Sequence, residues 1–481
     1  MIGGSRLRRE GGLRVGGLRG DAASIFEAGL DRADPLLLME ECLSMDGSRL
    51  LVKSGGIEEG YDLERYARIL LVGYGKASAR MALGVEALLG DRISEGLVVT
   101  KTGHGEALAR ARLFESAHPV PEASSVEAAR LLLELAEGAD EDTLVLNCVS
   151  GGGSALLCAP AFGLSLEDKR EASALLLASG APIASINCVR KHLSLVKGGG
   201  LALALHPAVS VNLILSDVMG DDLSAIASGP TVPDATTWGQ ALAILYDYHI
   251  YDKLSSGLRS VFEAGAAGDL PETPKPGDPA FDGCDNILVG TNYLSLVAAK
   301  ERAESLGYSS LILTSRLEGE ARELAKVFVG VAADIRAHGL PLRAPACVLA
   351  GGESTVTLRG AGKGGRNQEM ALAFLGAASE AGLELGGLCF LSGASDGNDG
   401  PTEAAGGFAD ATALRACRVA GLDLKGSLAD NDSYRFLEKV GALLVTGATN
   451  TNVCDIQVLL VGPDQASRAT GSLSSTISDV E

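Results

Sequence analysis

Short apolar runs that stop at glycine- or aspartate-rich loops and then give way to helical periodicity recur along this chain, and nothing else in it restricts the fold as tightly. Strands of that kind bury both faces only when helices cover a parallel sheet, so the class is α/β. The first instance shows the grammar. Residues 68–72 (RILLV) are strand-like, residues 73–75 form a tight turn, and Met81, Val85, Leu88 and Leu89 then fall on one helical face. The same order returns at 144–157, 211–226, 287–299 and 388–405. In open parallel sheets ligands sit beyond the carboxyl ends of the strands, which directs the search for chemistry to those five loops.

A chain of 481 residues exceeds what one core organises, so two domains are expected. The stretch 264–286, with four prolines among glycines and aspartates, sustains neither helix nor central strand and is read as the connection. This leaves an N-terminal domain over 21–263 and a C-terminal one over 287–463. Residues 1–20, with five arginines and no apolar segment of the signal-peptide kind, read as a disordered basic tail, and 464–481 as a frayed one.

The balance of 41 basic against 61 acidic side chains gives a net charge of −20, which disfavours nucleic acid as a partner. An anionic substrate then needs a local basic pocket. The nine cysteines are odd in number, contain no CxxC pair and sit mostly in apolar runs, as expected of core residues in a reducing, cytoplasmic compartment. No apolar run reaches the ~18–20 residues of a bilayer span, so no membrane partner is expected.

VGYGKAS (72–78) places Gly73, Gly75 and then Lys76 at a helix start, where free N–H groups and the helix dipole favour an anion. A dinucleotide site is the rival reading, yet Ser78 stands at the third glycine of GxGxxG and the second strand ends in Lys101 rather than an acid. A tight turn beside a solvated lysine is the plainer alternative. SGGGS (Ser150, Gly151, Gly152, Gly153, Ser154) follows an apolar strand, and consecutive glycines let N–H groups line a concave nest for phosphate or carboxylate. NCVRKHLSLVKGGG (187–200) offers Arg190 and Lys197 one heptad apart, whereas Lys191 and His192 read as groups complementing a helix end.

Asp217, at the end of an apolar strand, is placed to accept a hydroxyl proton. In GGESTVTLRGAGKGGRNQE (351–369), Arg366 can grip a carboxylate or phosphate with both nitrogens, and Glu353 can orient it or face a hydrated metal. Lys363 lacks the context of a Walker A loop. Asp396 and Asp399, in a glycine-rich loop, suit Mg²⁺ through water, or are simply turn residues.

Taken in order, these segments, with the turn His118-Pro119-Val120-Pro121 and the runs DGNDGPT, NDSYRFL and TGATNTNVCD, resemble the type II glycerate kinases, whose second domain is called MOFRL. The resemblance spans roughly Val72 to Asp455. Small departures are Ser395, Glu403, Ala448, Asn450 and Cys454. The resemblance implies a Rossmann-like N-terminal domain, a smaller α/β second domain and an active site in the cleft between them. It implies an ATP- and Mg²⁺-dependent kinase forming 2-phospho-D-glycerate from D-glycerate, with Lys76, Asp217 and Arg366 in that cleft. On that footing Lys76 stabilises the migrating phosphoryl group, Asp217 takes the 2-hydroxyl proton, and Arg366 clamps the carboxylate or a phosphate oxygen. Mg²⁺ bridges ATP oxygens within reach of Glu353 or Asp396, its direct ligands being unknown, and Asn452 and Asp455 are further candidates. A homodimer is the assembly to be tested. The competing functions are an NAD(P)-dependent hydroxypyruvate reductase and a non-catalytic ligand-binding module on the same fold.

Overall fold

The computed structural model describes residues 17–463. They form two compact units, one made of residues 35–291 and the other of the N-terminal segment through Asp34 together with the chain from Asn292 onward. Both terminal tails predicted from sequence fall largely outside the described residues, at 1–16 and 464–481; within the described part, Leu18 already opens a helix.

The unit of residues 35–291 is built on six parallel strands: β1 (Arg68–Tyr74), β2 (Glu95–Lys101), β3 (Arg112–Ser116), β4 (Thr143–Val149), β5 (Val209–Leu215) and β6 (Cys284–Gly290). Their spatial order is β3-β2-β1-β4-β5-β6 with every neighbour parallel, the doubly wound order of dinucleotide-binding folds. The order of connection reverses between β1 and β4, which makes the carboxyl ends of these two strands the switch point at which ligands bind in such sheets. β4 is buried along its whole length, TLVLNCV, as a central strand covered on both faces must be. Helices α1 (Ser78–Leu89), α2 (Ala123–Glu137), α3 (Gly153–Leu156), α4 (Leu166–Ala178) and α5 (Ile183–His192) follow in chain order. A second core in this unit gathers Leu176, Val189, Trp238, Leu258 and Phe262. A three-stranded antiparallel sheet, Leu43–Asp46, Arg49–Ser54 and Ile57–Asp62, leans on β6 through the Ser54 hydroxyl, which donates to the Leu288 carbonyl at 2.7 Å.

The proline-rich stretch is not the boundary. β6 pairs with β5 and closes the first sheet, and the segment before it is tied to the same unit: Trp238 Nε1 donates to the Pro271 carbonyl and Asp234 N to that of Pro274, both at 2.9 Å. Prolines forbid a ladder but leave carbonyls free to accept, so this composition marks an ordered irregular segment. The chain changes unit at residues 291–292, which splits the strand–loop–helix reading of 287–299 between the two units.

The other unit has six strands, β7 (Ser309–Glu320), β8 (Ala346–Thr355), β9 (Leu388–Ala394), β10 (Gly406–Asp410), β11 (Leu443–Leu444) and β12 (Asp455–Val461). Their order is β7-β8-β12-β9-β10-β11, and only the β7–β8 pair is parallel. The expectation of strand, loop and helix over 388–405 is corrected accordingly: β9 leads through its glycine-rich loop into an antiparallel partner. Helix α6 (Arg366–Glu380) and the helix Ala321–His338 bury Phe374 and Phe328 against Phe390, with the Phe374 and Phe390 rings stacked at 4.6 Å. The helix Leu18–Arg32 belongs to this core through Ile25, Phe26 and Leu30. All nine cysteines are free thiols, eight of them buried, and no helix among the described residues is long and apolar enough to cross a membrane.

Candidate active site

The loops after β1 and β4 are locked together by backbone and hydroxyl bonds. Lys76 N donates to the Gly151 carbonyl at 2.9 Å, Ser150 N to the Tyr74 carbonyl at 3.1 Å, and Ala77 N to Ser150 Oγ at 3.0 Å. Ser78, fully buried, sits 3.3 Å from the same hydroxyl, so the residue standing where a dinucleotide fold carries its third glycine joins the two loops instead. Gly75 has φ +137°, and a Cβ there would overlap the Ser150 side chain and backbone. Ser150 and Gly75 are therefore the hinge pins of the switch point.

Two consecutive glycines then face the charged groups. A Cβ on Gly151 would overlap the Asp217 carboxylate, and one on Gly152 would lie 3.3 Å from Lys76 Cε and 3.0 Å from His118 Nε2. The structure thus brings Lys76, Asp217 and the SGGGS loop to one place at the carboxyl ends of β1, β4 and β5. Lys76 is half-buried, and its ammonium has no hydrogen bond or ion pair among the described residues. His118 is pushed down to about 4 by burial and then by the charges of Lys76, Lys101 and His104, so its ring is neutral at pH 7. In the sequence it figures only within the turn His118-Pro119-Val120-Pro121 and is given no role, since a histidine before a proline carries no chemical signature of its own. Gly73 serves packing, since a Cβ there would press on the Cys148 carbonyl at 3.2 Å, and Gly153 abuts the Tyr74 ring.

Ser154 and Lys197 meet as well: Lys197 Nζ donates to the Ser154 carbonyl at 2.6 Å and lies 3.0 Å from its hydroxyl, which also contacts Ser228 Oγ at 3.0 Å. Burial, followed by the charge of Lys169, drives Lys197 well below the ordinary lysine range. Arg190 shares a pocket with Lys197, whereas Lys191 is a buried partner of Asp234 and His192 Nε2 faces Glu272. Those last two are structural, although burial rather than a helix end is the reason.

In the other unit, Arg366 is held at the start of α6. Its Nε and Nη2 grip the Asp455 carboxylate at 2.7 and 2.9 Å, and Nη1 reaches Glu353 Oε1 at 2.6 Å. Burial works against the guanidinium, but the bond to Asp455 and the two neighbouring carboxylates outweigh it and hold the arginine charged. Asp399 is the N-terminal anchor of α6, accepting from Asn367 N and Gln368 N at 3.2 and 2.8 Å while 2% exposed, which assigns it to the helix end. Asp396 accepts from Asn398 N at 3.0 Å, and Asn452 caps its own turn through Cys454 N at 3.0 Å. Lys363 stacks 4.5 Å over the Tyr434 ring.

Among the described residues no group of three or more His, Cys, Asp or Glu side chains is arranged to hold a metal. A nucleotide's Mg²⁺ would require only one or two protein carboxylates, its other ligands being phosphates and water, so this absence does not bear on such an ion.

Comparison with known proteins bears on the family and the fold. Residues 21–263 match a family described as "Domain of unknown function (DUF4147)" and residues 346–455 match the MOFRL family. A Pyrococcus horikoshii protein named glycerate 2-kinase is 40% identical, with 89% of this chain and 94% of the relative covered. The D-glycerate 2-kinase of Thermotoga maritima is 41% identical, over 82% and 91%. The chain belongs to the type II glycerate kinase (MOFRL) family. A relative from Agrobacterium vitis, provisionally named a hydroxypyruvate reductase, is 44% identical over 82% of this chain and 87% of its own. The crystal structure of glycerate kinase from T. maritima superposes with a TM-score of 0.82 at 37% identity, covering 92% of this chain and 99% of that one. Family membership and the solved relative together bear out the α/β class with a parallel first sheet.

Proposed function

We propose that the protein transfers the γ-phosphoryl group of ATP to the 2-hydroxyl of D-glycerate, giving 2-phospho-D-glycerate and ADP. The observation that carries this reading is the meeting of Lys76 and Asp217 at Gly151 and Gly152 in the switch-point crevice. The substrate oxygen attacks the γ-phosphorus in line, the bond to the β-phosphate oxygen breaks, and the hydroxyl proton passes to the Asp217 carboxylate. Lys76, with no partner of its own, is free to meet charge on the phosphoryl oxygens. The Gly151–Gly153 backbone can approach the phosphates because no Cβ intervenes. Mg²⁺ arriving with ATP supplies further neutralisation of phosphate charge. Arg366 is assigned to the acid's carboxylate or a phosphate oxygen through the nitrogen that the half-exposed Glu353 now holds, with Asp455 fixing its plane.

Transferring the names of the relatives supports glycerate as the acceptor, since the kinases cover nearly their whole length with this chain. The reductase alternative is disfavoured by Ser78, whose hydroxyl is spent on Ser150, and by Lys101 at the end of β2, where a ribose would need a carboxylate. The deciding experiment incubates the protein with ATP, Mg²⁺ and D-glycerate without NAD(P)H and identifies the product isomer by phosphorus NMR. We expect 2-phosphoglycerate, and ~10²- to 10³-fold lower kcat in Lys76→Ala. NAD(P)H-dependent reduction of hydroxypyruvate with no consumption of ATP would overturn the reading.

A further inference from the structure

A pocket of about 380 Å³ opens beside Gly152 in the unit of residues 35–291. One of its walls is α4. The helix starts where Ser165 and Asp168 cap each other, Asp168 N donating to Ser165 Oγ at 3.1 Å and Ser165 N to the Asp168 carboxylate at 2.8 Å. From that start, Leu166, Lys169, Arg170, Ser173, Ala174 and Leu177 fall on one helical face, and all six line the pocket. Ala172 and Leu176 face the core instead.

Lys169 is the anomaly. It is 8% exposed and lines the pocket, and its buried ammonium has no hydrogen-bond partner among the described residues. Arg190 on α5 faces the same space and likewise has no hydrogen-bond or ion-pair partner among the described residues. Lys197 is a further basic lining group, Arg170 is engaged by the Pro121 carbonyl and Glu167, and no carboxylate lines the cavity. A buried ammonium left without a partner is costly, and one that lines a cavity marks a candidate site for an anionic ligand. The rest of the lining is largely apolar, with Val120 and Leu177 respectively 56% and 61% exposed. Pockets above ~300 Å³ with apolar walls and a few convergent polar groups take ligands larger than a three-carbon acid.

We infer that this pocket is the nucleotide site, in which Lys169 and Arg190 bind the polyphosphate, Lys197 holds Ser154 towards it, and the exposed side chains of Val120 and Leu177 cover the base. The assignment rests on the kinase reading for the identity of the anion. It places the terminal phosphate at Gly152, next to Lys76, where the transfer is expected to occur. Lys169 was invisible as a site residue in sequence, since one lysine in LEDKREASALLLA reads as a solvated helix face.

The test measures equilibrium binding of ADP, inorganic tripolyphosphate and D-glycerate to the full chain and to Lys169→Met and Leu177→Asp. Lys169→Met removes the ammonium but keeps the length of the stem. We expect it to weaken ADP and tripolyphosphate by at least about tenfold and leave glycerate affinity within twofold. Leu177→Asp, on an exposed position that does not threaten folding, should weaken ADP about tenfold and tripolyphosphate far less. Unchanged ADP affinity in both variants, or loss confined to glycerate, overturns the assignment even if the wild-type protein phosphorylates glycerate. Conversely, ADP binding that is sensitive to both substitutions upholds the pocket even if no phosphoglycerate is formed.

Discussion

Burial pushes the Lys169 ammonium down to about 8 from the ordinary 10.5, and the charge of Arg190 adds to the effect. The sign of the consequence follows from proton counting. Between about pH 8 and 10.5 the unfolded chain binds a proton that the folded chain has released, so stability rises with pH across that window; below it both states are protonated and the slope vanishes. Nucleotide binding should move the other way, ADP affinity falling as pH rises through 8 because the cation that meets the phosphate is lost. Calorimetric titrations at pH 7, 8 and 9 check this, and in Lys169→Met the pH dependence should flatten. A second residue-scale prediction concerns Arg366. Asp455 is fully buried in the grip of Arg366, so Arg366→Ala leaves a carboxylate without its cation and should lower unfolding stability by about 3 kcal/mol, the low end of the range for buried pairs because the arginine side chain keeps 31% exposure. Loss of activity in that variant alone is therefore ambiguous. Adding Asp455→Asn should restore most of the denaturation midpoint; if turnover is still lost in the double variant, the guanidinium acts in the reaction and not only in the fold.

At the level of elements, the switch point is set by glycine contacts, and small additions there should act on rate more than on stability. A methyl group on Gly151 collides with the Asp217 carboxylate, so Gly151→Ala should displace the proton acceptor and cost about 10²-fold in kcat, since misplacement near 1 Å has that effect. Comparing kcat with the thermal midpoint checks it: a midpoint falling in step with kcat would show that the loop unravels. The strand–loop–helix pattern made this crevice legible, because β1 and β4 are buried on both faces and their apolar runs are continuous. The second sheet was harder to read. β12 comes last in the chain but lies between β8 and β9, and the antiparallel β9–β10 pair crosses a glycine-rich loop that looks like any phosphate loop in sequence. Lys169 and the role of His118 escaped for a different reason: their meaning lies in what surrounds them, and desolvation is not written in local spacing.

Over the whole molecule, a net charge of −20 surrounds sites that must admit two anions, and these effects oppose each other at different ranges. The surface charge acts at a distance and is screened readily, the Debye length shrinking from ~30 Å at 0.01 M salt to ~8 Å at 0.15 M. The cations within the Lys169 pocket act at contact, behind low-dielectric walls, where salt penetrates poorly. Adding salt in this range should then remove repulsion faster than it weakens capture. For anionic substrates at concentrations well below saturation, kcat/KM should rise several-fold between 0.01 and 0.15 M NaCl, while kcat at saturation stays nearly constant. Basic side chains at the site confer the opposite trend on enzymes of neutral surface, for which steering is attractive and salt slows association. A monotonic fall in kcat/KM over the same interval would show that the local field of Lys76, Lys169 and Arg190 extends beyond the acidic surface and governs the approach of substrate.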